Sequence, residues 1–379
     1  MTAMPVPERF IGLISGTSAD AIDAVLVDFN EDQPRVLATH SHPLSPAVRA
    51  TIHSLAQPGS NEIDRMGELD QLLGEAFAAA ALEVISNSGL SPADITAIGS
   101  HGQTLRHRPP GDPASERAFS LQVADPNQIV YRTGITTIAD FRRRDMAAGG
   151  EGAPLVPALH QALFHHPDQD RAIVNVGGIA NITWLPAHGD VIGFDTGPGN
   201  NLQDAWIHRV QGKTFDNQGL WGASGQVQEA LLASLLAHPY FAQPFPKSTG
   251  PEAFHIGWLD AILSAGSRLY KPEDVQATLR MLTAHTLSDC LQKLPRTKQT
   301  LQVYLCGGGA HNNALRTTLS GLLPHATVLD TGALGLDPDW VEAVAFAWLA
   351  RQTLKGLPGN LPAVTGARAA QVLGAIYPA

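Results

Sequence analysis

The apolar runs of this chain are short, and polar connections rich in glycine separate them. Residues 10–14 (FIGLI) and 24–29 (AVLVDF) flank Ser15, Gly16, Thr17, Ser18, Ala19 and Asp20. This pattern predicts two strands joined by a loop longer than the two-residue connection of an ordinary hairpin. Residues 45–57 and 61–88 carry helical spacing, with a stop at Asn87-Ser88-Gly89. A short buried strand is predicted at 95–98, ending in a polar turn at "SHGQT". Another at 134–141 opens onto Arg142, Arg143, Arg144 and Asp145.

The middle of the chain repeats that grammar. An apolar strand at 172–176 meets Gly177-Gly178 and a second strand at 179–185. "FDTGPGNN" then places a strand end at Phe194, a carboxylate at Asp195 and a glycine turn into a helix. Residues 303–306 form a strand that meets Gly307, Gly308 and Gly309, with Asn312 or Asn313 free to cap the next helix. A last helix covers 340–354. Two strand–glycine-turn–strand units about 160 residues apart predict a duplicated, two-domain α/β protein. Its first domain is expected at 1–136 with the tail 355–379, and its second at 137–354.

Composition narrows the function classes. At 379 residues the chain exceeds the usual size of a single core. Hydrophobic residues make up 44% and charged residues 16%, as in folded soluble proteins. The formal net charge of −10 argues against a nucleic-acid partner or an anionic membrane surface. Two cysteines, Cys290 and Cys306, give no disulfide framework and suit a reducing compartment. Neither a signal peptide nor a membrane span is predicted, so the expected location is the cytoplasm. The P-loop pattern GxxxxGK[ST] is missing, as is GxGxxG after the first strand.

Several residues carry candidate chemistry. In the first loop a glycine admits backbone N–H groups close to an anion, and adjacent hydroxyls add donors. The competing reading is a solvated hairpin loop. Asp195, ahead of a glycine turn, has the position of a general base, or else it caps the following helix. Gly307 and Gly308 suit close approach to a flat ligand or a tight strand–helix crossing. Taken with the two glycine hairpins, they complete a three-point nucleotide clamp. "SHGQT" offers His101 beside an amide and a hydroxyl, the groups that sugar hydroxyls require. "FRRRD" clusters guanidiniums in an acidic chain and fits an anionic group, or forms a solvated turn with ion pairs. Glu342 heads an apolar helix, placed there either for the helix dipole or to meet a ligand. The scattered histidines do not form a zinc motif.

The motifs "GLISGTSADAID", "SHGQTLRH", "DFRRRDMAAGGEGAPLVP", "NVGGIANIT", "FDTGPGN", "PKSTGPEAF", "CGGGAHN" and "EAVAFAWLA" resemble those of the anhydro-N-acetylmuramic acid kinase family nearly end to end. That family lies within the superfamily of actin, heat-shock ATPases and sugar kinases. The resemblance implies a two-domain actin-like α/β fold with a central cleft, each domain a mixed sheet flanked by helices. It implies ATP and Mg2+ as cofactors, and hydrolytic opening of a 1,6-anhydro sugar with phosphorylation of its 6-oxygen in cell-wall recycling. Carried over, Gly16, Thr17, Ser18, Ala19, Asp20, Ala21, Ile22 and Asp23 form the first phosphate loop. Gly177 and Gly178 form the second, and Gly307 and Gly308 lie by the nucleoside. Asp195 is then the base that activates water, and Arg144 and Glu342, with His101 and Arg142, contact the sugar.

Two departures stand out. Ala19 and Ala21 replace the family's usual Leu and Gly, and an alanine at position 21 opposes a positive φ there. Ile14 and Asn175 occupy positions where the wider superfamily usually has Asp, so no magnesium ligand is assigned. Small-molecule substrates are the expected partners, and a homodimer is left open. Two rivals remain: a kinase acting on a free sugar hydroxyl, and a sugar-responsive regulator. The regulator would need a DNA-binding helix pair ahead of the first strand, and residue 10 already begins that strand.

Overall fold

A computed structural model describes residues 8–379 except 32, 113, 267 and 299. Among the described residues there are twelve strands: β1 (Arg9–Ser15), β2 (Ala21–Asp28), β3 (Arg35–Pro43), β4 (Ala97–Arg108), β5 (Phe119–Val123), β6 (Thr137–Ala139), β7 (Asp170–Val176), β8 (Ile179–Leu185), β9 (Ile192–Pro198), β10 (Leu301–Cys306), β11 (Ala326–Asp330) and β12 (Ala375–Tyr377). They form two mixed sheets flanked by helices, as expected. One has the order β12-β6-β4-β1-β2-β3, with β5 on β4, and the other β11-β10-β7-β8-β9.

The two sheets repeat one design. In the first, β1, β2 and β3 form an antiparallel meander, and β4 and β6 add in parallel on the other side of β1. In the second, β7, β8 and β9 form the meander while β10 and β11 add in parallel beside β7. The strand directions match pair by pair. The predicted repeat of strand–glycine-turn–strand units is therefore the visible part of a duplicated five-strand sheet.

The chain divides into one unit of Met1–Leu159 with Trp340–Ala379, and another of His160–Asp339. This differs from the expected boundaries at 136 and 354. β6 pairs in parallel with β4, which keeps the segment after 136 in the first sheet. The helix Val341–Leu354 lies on β1 and β4 because Gly12 and Gly99 face it. A Cβ at either position would overlap the carbonyl oxygen of Ala343 or Phe346. At these two positions the helix backbone rests directly on the strands.

Helix ends follow their caps. The Ser45 side chain accepts from Val48 N–H ahead of Pro46–Leu55. The long helix Glu62–Ser88 ends at Gly89 with φ +73. In the first unit its Leu69, Leu73, Phe77, Val84 and Ile85 are buried with Ile11, Leu13 and Leu26 of the sheet. In the second unit Val174, Ile182, Trp184 and Val303 pack with Leu287, Leu291, Leu315 and Leu319.

Three local expectations change. β4 continues through "SHGQT" to Arg108, bending at Gly102 (φ +73), rather than ending there, because β5 supplies antiparallel partners for Gln103, Thr104 and residues 106–108. The strand expected at 134–141 shortens to Thr137–Ala139, and the arginine cluster forms the helix Arg142–Ala147 instead of a turn. Asp195 lies inside β9, which continues to Pro198, and not at a strand end.

Candidate active site

In the first unit, the parallel strands β1, β4 and β6 deliver three segments to one edge of the sheet. Ligands of α/β sheets collect beyond such carboxyl ends. After β1, Gly16, Thr17 and Ser18 are exposed while Ala19 is buried. The loop closes through Ala19 N–H on the Gly16 carbonyl (3.1 Å), with Ala19 at φ +52. A Cβ on Gly16 would meet nothing within 4 Å, so the space beside it is open. Asp20 is ion-paired with Arg49, and Ser41 Oγ donates to Asp23 Oδ1 (3.0 Å). Ala21 and Ile22 already belong to β2. The strained alanine of this loop is thus Ala19, and the substitution at 21 costs nothing in backbone geometry.

His101 and Arg142 form a single device. Nε and Nη2 of Arg142 donate to His101 Nε2 at 3.0 and 2.8 Å, and Nη1 donates to the Gly152 carbonyl at 2.8 Å. His101 Nε2 is then an acceptor, so Nδ1 carries the proton and donates to the Gly102 carbonyl (3.0 Å). Burial, and then the neighbouring guanidinium, hold the His101 pKa well below the usual imidazole value. Its ring lies 4.6 Å from that of Phe346. Burial lowers the Arg142 pKa to about 10, against the opposing influence of Glu342 and Asp145. Glu342 is exposed in the first turn of its helix and electrostatically coupled to Arg142. His101, Arg142 and Glu342 therefore come together.

Arg144, two residues further along the same short helix, is exposed. Among the described residues no side-chain hydrogen bond or ion pair engages it, whereas Arg143 pairs with Asp140 (3.2 Å). The short helix that carries both is fixed by buried Asp145, which accepts from Gly152 N–H (2.8 Å), Asn360 Nδ2 (2.6 Å) and Thr365 Oγ1 (2.7 Å). Gln103 of "SHGQT" has its amide nitrogen engaged, while Oε1 has no partner among the described residues. Its amide donates to the Gly16 carbonyl (3.3 Å) and to that of Thr104 (3.1 Å), which braces the first glycine loop.

In the second unit, β7 and β10 are parallel neighbours with Asn175 opposite Cys306, so the two glycine turns that follow them lie side by side. Gly307 has φ +73, and a Cβ there would strike the Asn175 side chain. Gly177 and Gly178 give their carbonyls to Asn200 N–H (2.8 Å) and Gly199 N–H (2.9 Å) at the start of the helix Asn201–Gln211. Asn312 caps the next helix by accepting from Leu315 N–H (2.9 Å). Beside these turns opens a cavity of about 650 Å³, lined by Asn200, Asp204, Asp216, Gly308, His311 and Arg316 among others. Burial, and then Asp216, raise the Asp204 pKa to about 7.

Asp195 is half-buried on β9 and does not cap the following helix. The "PKSTGPEAF" segment grips it instead. The Asp195 N–H donates to the Lys247 carbonyl (2.9 Å), and the Tyr240 hydroxyl donates to the Asp195 carbonyl (2.8 Å). Ser248 Oγ (3.2 Å) and Thr249 N–H (3.0 Å) both donate to Oδ2. Among the described residues no donor meets Oδ1. Burial pushes this carboxyl above the usual carboxylate range and Glu252 adds to the effect, while the Thr249 and Ser248 bonds oppose it. Sequence reading singled out neither Ser248 nor Asp204. Ser248 lies 53 positions from Asp195, and only the folded backbone brings its hydroxyl there, while Asp204 is set apart by its burial beside Asp216, which sequence pattern does not display.

The family described as anhydro-N-acetylmuramic acid kinase matches residues 8–379. A protein of Shewanella amazonensis bearing that name is 50% identical over 371 residues, which is 98% of each chain. One of Saccharophagus degradans is 49% identical, over 98% of this chain and 99% of its own. Solved structures resemble the chain weakly. An activator of 2-hydroxyisocaproyl-CoA dehydratase from Clostridium difficile has a TM-score of 0.43 at 12% identity, over 92% of this chain and 96% of its own. A ROK family glucokinase from Streptomyces griseus has a TM-score of 0.37 at 16% identity, over 91% of this chain and 99% of its own. With the family matched across both units and relatives half identical along their whole length, the chain belongs to the anhydro-N-acetylmuramic acid kinase family.

Proposed function

We infer that this protein uses ATP to open 1,6-anhydro-N-acetylmuramic acid with water and to phosphorylate the freed 6-oxygen. The products are N-acetylmuramic acid 6-phosphate and ADP, and the reaction serves peptidoglycan recycling and amino-sugar catabolism in the cytoplasm. Family membership over 8–379 supports the substrate class. The observation that carries the chemistry is Asp195, a half-buried carboxylate with Oδ2 held by two donors and Oδ1 open.

In this reading Asp195 Oδ1 takes a proton from water as the water oxygen bonds to the anomeric carbon. The bond from that carbon to the 6-oxygen breaks, and the oxygen takes the γ-phosphoryl group as its charge develops. Gly16, Thr17 and Ser18, exposed beside open space, present N–H and hydroxyl groups to phosphate, and Gly177-Gly178 form the second phosphate turn. The nucleoside lies by Gly307-Gly308 in the adjoining cavity, whose size suits it. Arg144 supplies an unpaired guanidinium for the sugar's carboxylate. His101 orients Arg142, and Glu342 accepts from sugar hydroxyls.

Magnesium would neutralise the phosphates of ATP. Among the described residues no three acidic, imidazole or thiol groups converge to hold a metal ion, so no residue is assigned to it and no step depends on it. No described helix is long and apolar enough to cross a membrane. The test is incubation with ATP, magnesium and the anhydro sugar in oxygen-18 water. One label at the anomeric oxygen and none in the phosphate is the expected result. A phosphorylated sugar that keeps its anhydro ring and carries no label would overturn the reading in favour of an ordinary sugar kinase.

A further inference from the structure

Asp195 sits in mid-strand, yet its carboxylate is not aimed by its own sheet. Four bonds to residues between 240 and 249 define its pose. The Lys247 carbonyl and the Tyr240 hydroxyl fix the backbone of residue 195 from either side, while Ser248 Oγ and Thr249 N–H fix Oδ2. The segment is itself anchored, because Lys247 Nζ donates to the Tyr240 carbonyl (3.0 Å) and lies 4.5 Å from the Tyr240 ring centroid. We propose that Ser248 is the positioning residue of the reaction: with Thr249 N–H it occupies Oδ2, so that Oδ1 alone is left to receive the proton from water. This rests on Asp195 being the base.

Chemistry favours the assignment. A carboxylate bonded at one oxygen keeps its free oxygen in one direction, and a misdirected base loses rate steeply. The charged and titratable groups around Asp195 are Glu252, Tyr240 and Lys247. Glu252 repels the ionised form, the Tyr240 hydroxyl is spent on a backbone carbonyl, and the Lys247 ammonium is spent on the Tyr240 and Phe241 carbonyls. Ser248 and Thr249 are thus the donors that favour the carboxylate, and Ser248 is the one that a side-chain change removes. Removing a donor from the ionised form raises its pKa. The acid limb of the rate profile then moves to higher pH.

Ser248 is exposed, so Ser248→Ala should fold. We expect its kcat to fall roughly tenfold with KM for ATP unchanged, and the acid limb of kcat to rise by about one pH unit. Ser248→Thr, which keeps the hydroxyl, should restore both. In an Asp195→Asn background Ser248→Ala should have no further effect, since there is no carboxylate left to aim. A Ser248→Ala enzyme with wild-type kcat and an unmoved acid limb overturns the proposal, as does an equal loss in the Asp195→Asn background. Should Asp195→Asn alone run near the wild-type rate, the failure lies with the base assignment and not with Ser248.

Discussion

At the scale of single residues, Asp195 and Arg144 make separable demands. Asp195→Asn keeps shape and one acceptor but cannot take a proton. Turnover should fall by about 10²–10⁴, the usual worth of a general base, with ATP and sugar still bound in equilibrium titrations. On the proposed assignment Asp195 must be ionised to act, and burial raises its pKa, so wild-type activity should rise with pH through a limb lying above the ordinary carboxylate range. Arg144 is exposed and unengaged among the described residues, so changing it should not unsettle the fold. Arg144→Lys keeps the charge and loses the planar fork. Calorimetry should show weaker sugar binding beside unchanged nucleotide binding, and a loss confined to ATP would remove Arg144 from the sugar site. Asp204 sets a different pH dependence. Its folded pKa of about 7 lies above the ordinary value of 3.8, so the stability tied to its bound proton is complete below 3.8 and lost as pH climbs through 7. Asp204→Asn should therefore raise the melting temperature at pH 8 by a few degrees and change it little at pH 4.

Elements show what sequence pattern can and cannot reveal. The glycine turns after β1, β7 and β10 were legible because small residues between apolar runs admit few other structures. The helix Glu62–Ser88 was legible because its apolar spacing and terminal Gly89 agree. The arginine helix was not: Arg142–Ala147 has six residues, too few for periodicity to register. What holds it is Asp145, tied to Asn360 and Thr365 more than 200 positions away. Nor could β4 be followed through "SHGQT", since its continuation depends on β5. The first glycine loop yields a clean test of function. A Cβ at Gly16 meets nothing within 4 Å and the position has no positive φ, so Gly16→Val should fold normally. If the open space holds phosphate, KM for ATP should rise at least several-fold. An unchanged ATP dependence would reduce the loop to a simple turn. Gly99 is the contrasting case. There a Cβ overlaps the Phe346 carbonyl, and Gly99→Ala should cost about 1–3 kcal/mol or more in denaturant melts by pushing the helix Val341–Leu354 off β4.

For the molecule as a whole, the repeated five-strand sheet shows why halves of equal design differ in autonomy. The second unit is continuous from His160 to Asp339 and holds its own sheet, its own buried clusters and the cavity beside Gly308. The first is assembled from two stretches of chain, Met1–Leu159 and Trp340–Ala379. Its sheet is covered on one side by the helix Val341–Leu354 and edged by β12. That split was hard to read in advance because the late helix looks, in sequence, like a continuation of the strands and turns before it. Only the bare glycines 12 and 99 on the first sheet mark where it docks. The consequence is asymmetric. A fragment of residues 154–339, which keeps the helix Val156–Phe164 whole, should unfold cooperatively on heating and bind adenosine weakly, without the phosphate affinity that Gly16 to Ser18 would add. A chain ended at residue 339 loses the helix that rests on Gly12 and Gly99, exposing Phe10, Val25 and Val27 on that same face of the sheet to partial solvation. In that chain, amide exchange across β1, β2 and β4 should become fast while β7 and β10 stay protected. Equal loss of protection in both sheets would show that the second unit depends on the first for its stability.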